Sequence, residues 1–184
     1  MTSSDASDRA APEDPCPECG FDGESVADVA AEVDALGRKF AAPLTRYLPG
    51  EDGPALLRTR PEPGVWSPLE YACHVRDVLR LFEERTRSMV AEPGVAFGWW
   101  DHEAAVTDDA YNDADPAEVA AAIADGTSRY AETLRGLSPS DWEATGERRG
   151  GEVFTVDSLG RYGLHEAKHH QLDIGRGLRA ARER

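Results

Sequence analysis

The chain has 184 residues and a formal charge of −15, from 35 acidic against 20 basic side chains. This length suits one domain with a buried core and leaves no room for a second. The charge repels phosphate backbones and anionic membranes, which argues against nucleic-acid and membrane partners. Apolar residues form 40% of the sequence, yet no run approaches the ~18 that a membrane span needs. Met1 to Pro15 mixes Ser, Asp, Ala, Glu and Pro and lacks the basic start and apolar stretch of a signal peptide. The expectation is a flexible tail over residues 1–24 carrying a Cys-x-x-Cys knuckle, then a folded domain over 25–184, in a cytoplasmic protein. Three cysteines, Cys16, Cys19 and Cys73, are too few for a secreted disulfide framework and favour a reducing compartment.

From Ser25 onward, Val26, Val29, Val33, Leu36, Phe40, Leu44 and Tyr47 recur at steps of three and four, one face of an amphipathic helix. Pro43 is placed to kink its end, and Leu48 to Pro54 reads as a surface loop. Ser67-Pro68-Leu69-Glu70 combines an N-cap, a proline at the first helical position and a glutamate three residues after the cap. It starts a second helix that carries His74 and Asp77 and runs to about Val90. Asp115-Pro116-Ala117-Glu118 repeats that logic for a third, closed by Gly136 to Pro139. Thr155 can cap a fourth reaching roughly Arg179, with Leu159, Tyr162, Leu172 and Ile174 among its apolar positions. No strand series stands out, and Val95 to Asn112 is too irregular to assign except as a long crossover with short helical turns. The fold class is therefore all-α, a four-helix bundle with a long crossover between helices two and three.

Three of the five histidines sit in His165-Glu166-Ala167-Lys168-His169-His170. Residues four apart on a helix face the same way, so His165 and His169 can aim imidazoles at one ion. His170 lies about 100° further round, to bind elsewhere or support the site from the side. His74 is the candidate third ligand, with Asp77 one turn away as acceptor for its imidazole. The same segment reads His-Glu-x-x-His, as in zinc proteases, with Glu166 as general base. The extended protease pattern needs Gly and a further ligand where Leu172 and Gly175 stand, so Glu166 is read instead as a solvated helix residue.

Trp66-Ser67-Pro68-Leu69-Glu70-Tyr71 leading into His74-Val75-Arg76-Asp77 resembles the second helix of the DinB-like (YfiT-like) superfamily of bacterial four-helix bundles. Phe154-Thr155-Val156 leading into His165 and His169-His170-Gln171-Leu172-Asp173 resembles its fourth, and the resemblance spans about Ser25 to Leu178. It implies a divalent ion, zinc or nickel, on one histidine of helix two and an H-x-x-x-H pair of helix four, which map onto His74, His165 and His169. It also implies a small-molecule substrate and S-transfer or isomerisation with a low-molecular-weight thiol. A metal-dependent hydrolase in the same pocket and a non-catalytic metal-binding or stress-associated dimer are the alternatives, and a homodimer is left open. The Ala-, Arg-, Gly- and Asp-rich composition fits an actinobacterial genome, which makes mycothiol the thiol of first choice.

Cys16-Pro17-Glu18-Cys19-Gly20 has the form of one zinc knuckle, but a second pair of cysteines is absent. A reducible disulfide, a metal shared across a dimer and an anchor before helix one are its open readings. The segment is also similar to Cys-x-x-Cys-Gly-Phe segments in actinobacterial relatives, a resemblance that implies no assigned role. Trp99, Trp100 and His102 are expected at the mouth of the metal pocket, and Arg161 and Tyr162 are placed to meet an anionic substrate.

Overall fold

The computed structural model describes residues 15–184; the first part of the expected tail, residues 1–14, lies outside them. Four long helices build the molecule: α1 (Val29–Thr45), α3 (Pro68–Ala91), α5 (Pro116–Arg135) and α6 (Val156–Arg182), with short helices α2 (Gly53–Arg58) and α4 (His102–Asp108) in the connections. Helix α1 packs on α5 and α6, and α3 packs on α5 and α6, which closes the bundle. The four-helix expectation stands, and the caps read from the sequence explain the helix starts. Ser67 and Glu70 form a reciprocal capping box at α3, and Asp115 accepts from the amides of Ala117 and Glu118 at α5. Thr155 and Ser158 form a second box at α6.

The crossover between α3 and α5 is more ordered than its sequence suggests. It contains strand β1 (Val95–Ala96), α4 and a 3₁₀ turn over Tyr111–Asp113. Arg58 donates to the carbonyls of Asn112 and Ala114, and the Asn112 amide donates back to the Arg58 carbonyl at 3.0 Å. Tyr111 donates its hydroxyl to Asp77 on α3 at 2.5 Å. Strands, which the sequence did not signal, do form. β1 pairs in parallel with β2 (Thr145–Arg148), which pairs antiparallel with β3 (Glu152–Thr155). Each is two to four residues long, too short for period-two alternation to show.

Two consequences bear on function. Helices α3 and α6 approach closely, because Gly163 presents no side chain: a Cβ there would lie 3.0 Å from the Phe82 ring. Residues 15–28 are also packed against the bundle. Cys16 and Phe21 are buried and join the core, and the Arg161 guanidinium on α6 donates to the carbonyls of Gly23 and Val26.

Candidate functional site

Every buried ionisable group must find partners, because an isolated charge out of water is prohibitively costly. Two groups of side chains on α6 meet this condition in different ways. Along α6, Tyr162, Glu166, His170 and Ile174 follow at steps of four and form one stripe facing the bundle interior, all of them buried. His165 and His169 lie about 100° round the helix and face the N-terminal segment.

In the interior group, Glu166 is 3% exposed and His74 2%. Glu166 Oε2 lies 3.5 Å from His74 Nε2 and 3.6 Å from His170 Nε2, and one ligand atom from each residue falls within 4.8 Å of the others. On a divalent ion with bonds of about 2.1 Å, neighbouring ligand atoms stand about 3.0 to 3.4 Å apart, close to the two distances from Glu166. His170 turns Nδ1 to Asp173 Oδ2 at 3.0 Å, the outer carboxylate that fixes the ring and raises its basicity in metal sites. His74 stacks on Trp100, with ring centroids 5.5 Å apart, and packs against Trp66. Its Nδ1 is buried without a hydrogen-bond partner among the described residues, so protein groups alone leave this ring under-satisfied. The donor set fits a divalent ion held by His74, Glu166 and His170.

Burial would raise the Glu166 carboxyl, but hydrogen bonds from His170 and His74 outweigh it and hold the group well below the usual carboxylate range. Burial would lower His170, but the carboxylates of Asp173 and Glu166 outweigh it and push the imidazole up. His74 goes the other way, pulled down chiefly by burial.

A cleft beside this group is lined by Glu166 together with Arg85, Trp99, Trp100, Arg148 and Tyr162; His74 and His170 do not line it. Arg85 is pulled down to about 10 by burial and by the charge of Arg148, so two guanidiniums share one cleft of an otherwise acidic protein. Arg148 is also paired with Glu152.

The second group is Cys16, Cys19, His165 and His169, whose ligand atoms also lie within 4.8 Å of one another. The structure thus distributes His74, His165 and His169 over two clusters instead of gathering them round one ion. A 100° rotation separates the two α6 pairs, and only the 166/170 pair faces α3. Glu166, read from sequence as solvated, is instead in the interior group, and His170 is beside His74. Asp77 does not orient His74: its carboxylate is engaged by Arg76 Nη2 at 2.7 Å and by the Tyr111 hydroxyl. Of the expected substrate-facing pair, Tyr162 lines the cleft, whereas Arg161 is spent on the Gly23 and Val26 carbonyls and on Asp157. Trp99 and Trp100 do line the cleft, and His102 is buried against Trp66 and His74. Asp173 was not singled out from sequence as a partner; its place three residues after His170 on a helix was the available signal.

The model of the DinB superfamily matches residues 44–174. A solved structure, YfiT from Bacillus subtilis, described as a probable metal-dependent hydrolase with an unusual four-helix bundle topology, superposes with a TM-score of 0.70 at 18% identity. The match covers 80% of this chain and 84% of that one. No curated protein matches the sequence. Among the described residues, no helix is long and apolar enough to cross a membrane.

Proposed function

The chain belongs to the DinB superfamily, and from that premise we propose that it is a metal-dependent enzyme whose ion is held by His74, Glu166 and His170. The observation that carries this reading is the buried His/Glu/His trio, whose Glu166 also lines a cleft. Two imidazoles and one carboxylate suit zinc, nickel or another first-row divalent ion and leave coordination positions free. A divalent ion there supplies Lewis acidity to activate a water or a thiol in the cleft.

The chain's own residues supply the rest. Asp173 holds the His170 ring in register. Trp100 and Trp66 fix the His74 plane and keep bulk water from the trio. Arg85 and Arg148 give the cleft a positive field, which favours a substrate with an anionic group; Trp99 and Trp100 offer an apolar surface beside it. YfiT is described as a probable metal-dependent hydrolase, which supports hydrolysis in this cleft. S-transfer or isomerisation with a mycothiol-type thiol is the second reading, and it uses the same open positions.

Metal content of the purified, untagged protein, compared with His74→Ala and Glu166→Gln, tests the site. The expected result is loss of one bound ion per chain in both variants, with the fold retained by circular dichroism. Unchanged content in both sinks the assignment. Turnover of esters or amides with water alone assigns hydrolysis, whereas turnover only with an added thiol assigns transfer. A loaded protein inert in both screens points to the non-catalytic alternative.

A further inference from the structure

We propose that Cys16, Cys19, His165 and His169 form a second metal site, a structural Cys₂His₂ zinc centre that clasps the N-terminal segment to α6. It shares no ligand with the interior trio, although Asp173 Oδ2 lies near both, 3.0 Å from His170 Nδ1 and 3.9 Å from His169 Nε2.

The cysteine half is folded as a knuckle. Gly20 takes a left-handed conformation, φ 66°, which lets its amide donate to the Cys16 carbonyl at 2.8 Å while the Cys16 amide donates to the Phe21 carbonyl at 2.8 Å. All three cysteines are free thiols, so no disulfide competes for Cys16 and Cys19. The histidine half is a helical i, i+4 pair, the second pair of donors that the cysteine motif lacks on its own.

The two halves meet at ligand distance. Cys16 Sγ lies 3.8 Å from His169 Nδ1; two ligands of a tetrahedral zinc, at about 2.3 Å for sulfur and 2.0 to 2.1 Å for nitrogen, stand about 3.6 Å apart. The other nitrogen of His169, Nε2, lies near two carboxylates, 3.8 Å from Glu18 and 3.9 Å from Asp173, too far for a hydrogen bond to either. Phe21 packs its ring 5.5 Å from that of His165 and screens the site on one side. Four ligands of this kind leave no open position, so the role is structural. Binding a zinc ion releases the two thiol protons to solvent and leaves a neutral centre.

The test uses the full chain, reduced and loaded with Co²⁺ as a spectroscopic substitute for zinc. The expected result is an intense sulfur-to-cobalt charge-transfer band with tetrahedral ligand-field bands. The C16S/C19S double variant should lose these and keep the ion that depends on Glu166, while Glu166→Gln should keep them. No charge-transfer band in the reduced wild type, or a band that survives the double substitution, overturns the proposal. A second measurement needs no variant: mass spectrometry should find Cys16 and Cys19 shielded from alkylation by zinc and modified after chelation. Equal modification with and without zinc also overturns it.

Discussion

The two clusters on α6 use the same six-residue stretch and the same i, i+4 spacing, yet they are opposites. His165 and His169 meet two sulfurs from a segment that folds onto the bundle from outside. Glu166 and His170 meet an imidazole from the neighbouring helix, inside the bundle, and Glu166 also lines a cleft. The first set offers four donors and is complete. The second offers three and leaves room for a reactant. Moving one residue along a helix is enough to turn a pair of side chains from the N-terminal segment to the neighbouring helix.

The largest expected effect separates the two by substitution. Glu166→Gln should abolish the interior ion and any turnover while the cobalt–thiolate signal persists, and C16S/C19S should do the reverse; loss of both ions in either variant would show that the clusters are not independent. The next effect is on stability. Zinc at 100 times its dissociation constant from the clasp should add about 2.7 kcal/mol, which raises Tm by about 5–10 °C for a domain of this size. Calorimetry of the Glu166→Gln protein with and without zinc reads this from the clasp alone, and an unchanged Tm argues against it.

A smaller effect lies outside both clusters. Tyr111→Phe removes the hydroxyl that holds the crossover to Asp77 and should cost about 1–2 kcal/mol in denaturant unfolding, with metal content unchanged. A loss of interior metal in this variant would return Asp77 to the site. The smallest effect is a pH dependence. Burial would raise Asp77, but hydrogen bonds from Arg76 and Tyr111 outweigh it and set the carboxyl below its ordinary value. A carboxyl depressed in the folded state stabilises fully above its unfolded pKa of about 3.9 and loses that contribution as pH falls through the folded value. The stability gap between wild type and Asp77→Asn should therefore hold from neutral pH to about pH 5 and narrow below pH 4; a gap that widens in acid would contradict the assignment.

Helix starts were the most legible part of the sequence, because Ser67, Asp115 and Thr155 cap by local chemistry that needs no tertiary context. The bundle followed from the apolar spacing of Val33, Leu36, Phe40 and Leu44. The site was legible only as residue types. Its division depended on which face of α6 meets α3, and the two histidines at 165 and 169 drew the assignment away from 166 and 170. The stripe from Tyr162 to Ile174, both read as apolar positions of this helix, passes through Glu166 and His170 at steps of four and so already placed those two on its inward face. The partner of the Cys-x-x-Cys motif was not legible, because about 145 residues separate Cys19 from His165 and only the folded chain brings them together. The short strands were hidden for a different reason, since pairing within the hairpin from Thr145 to Thr155, rather than residue pattern, defines them.

Arg161, which holds the carbonyls of Gly23 and Val26, works without any ion. The chain ahead of α1 is therefore tethered a few residues from the knuckle before zinc arrives, so little ordering entropy remains to oppose binding. Chelation should speed amide exchange at Cys16 and Gly20 and spare Val26, so that the clasp opens as a short flap on a fixed hinge.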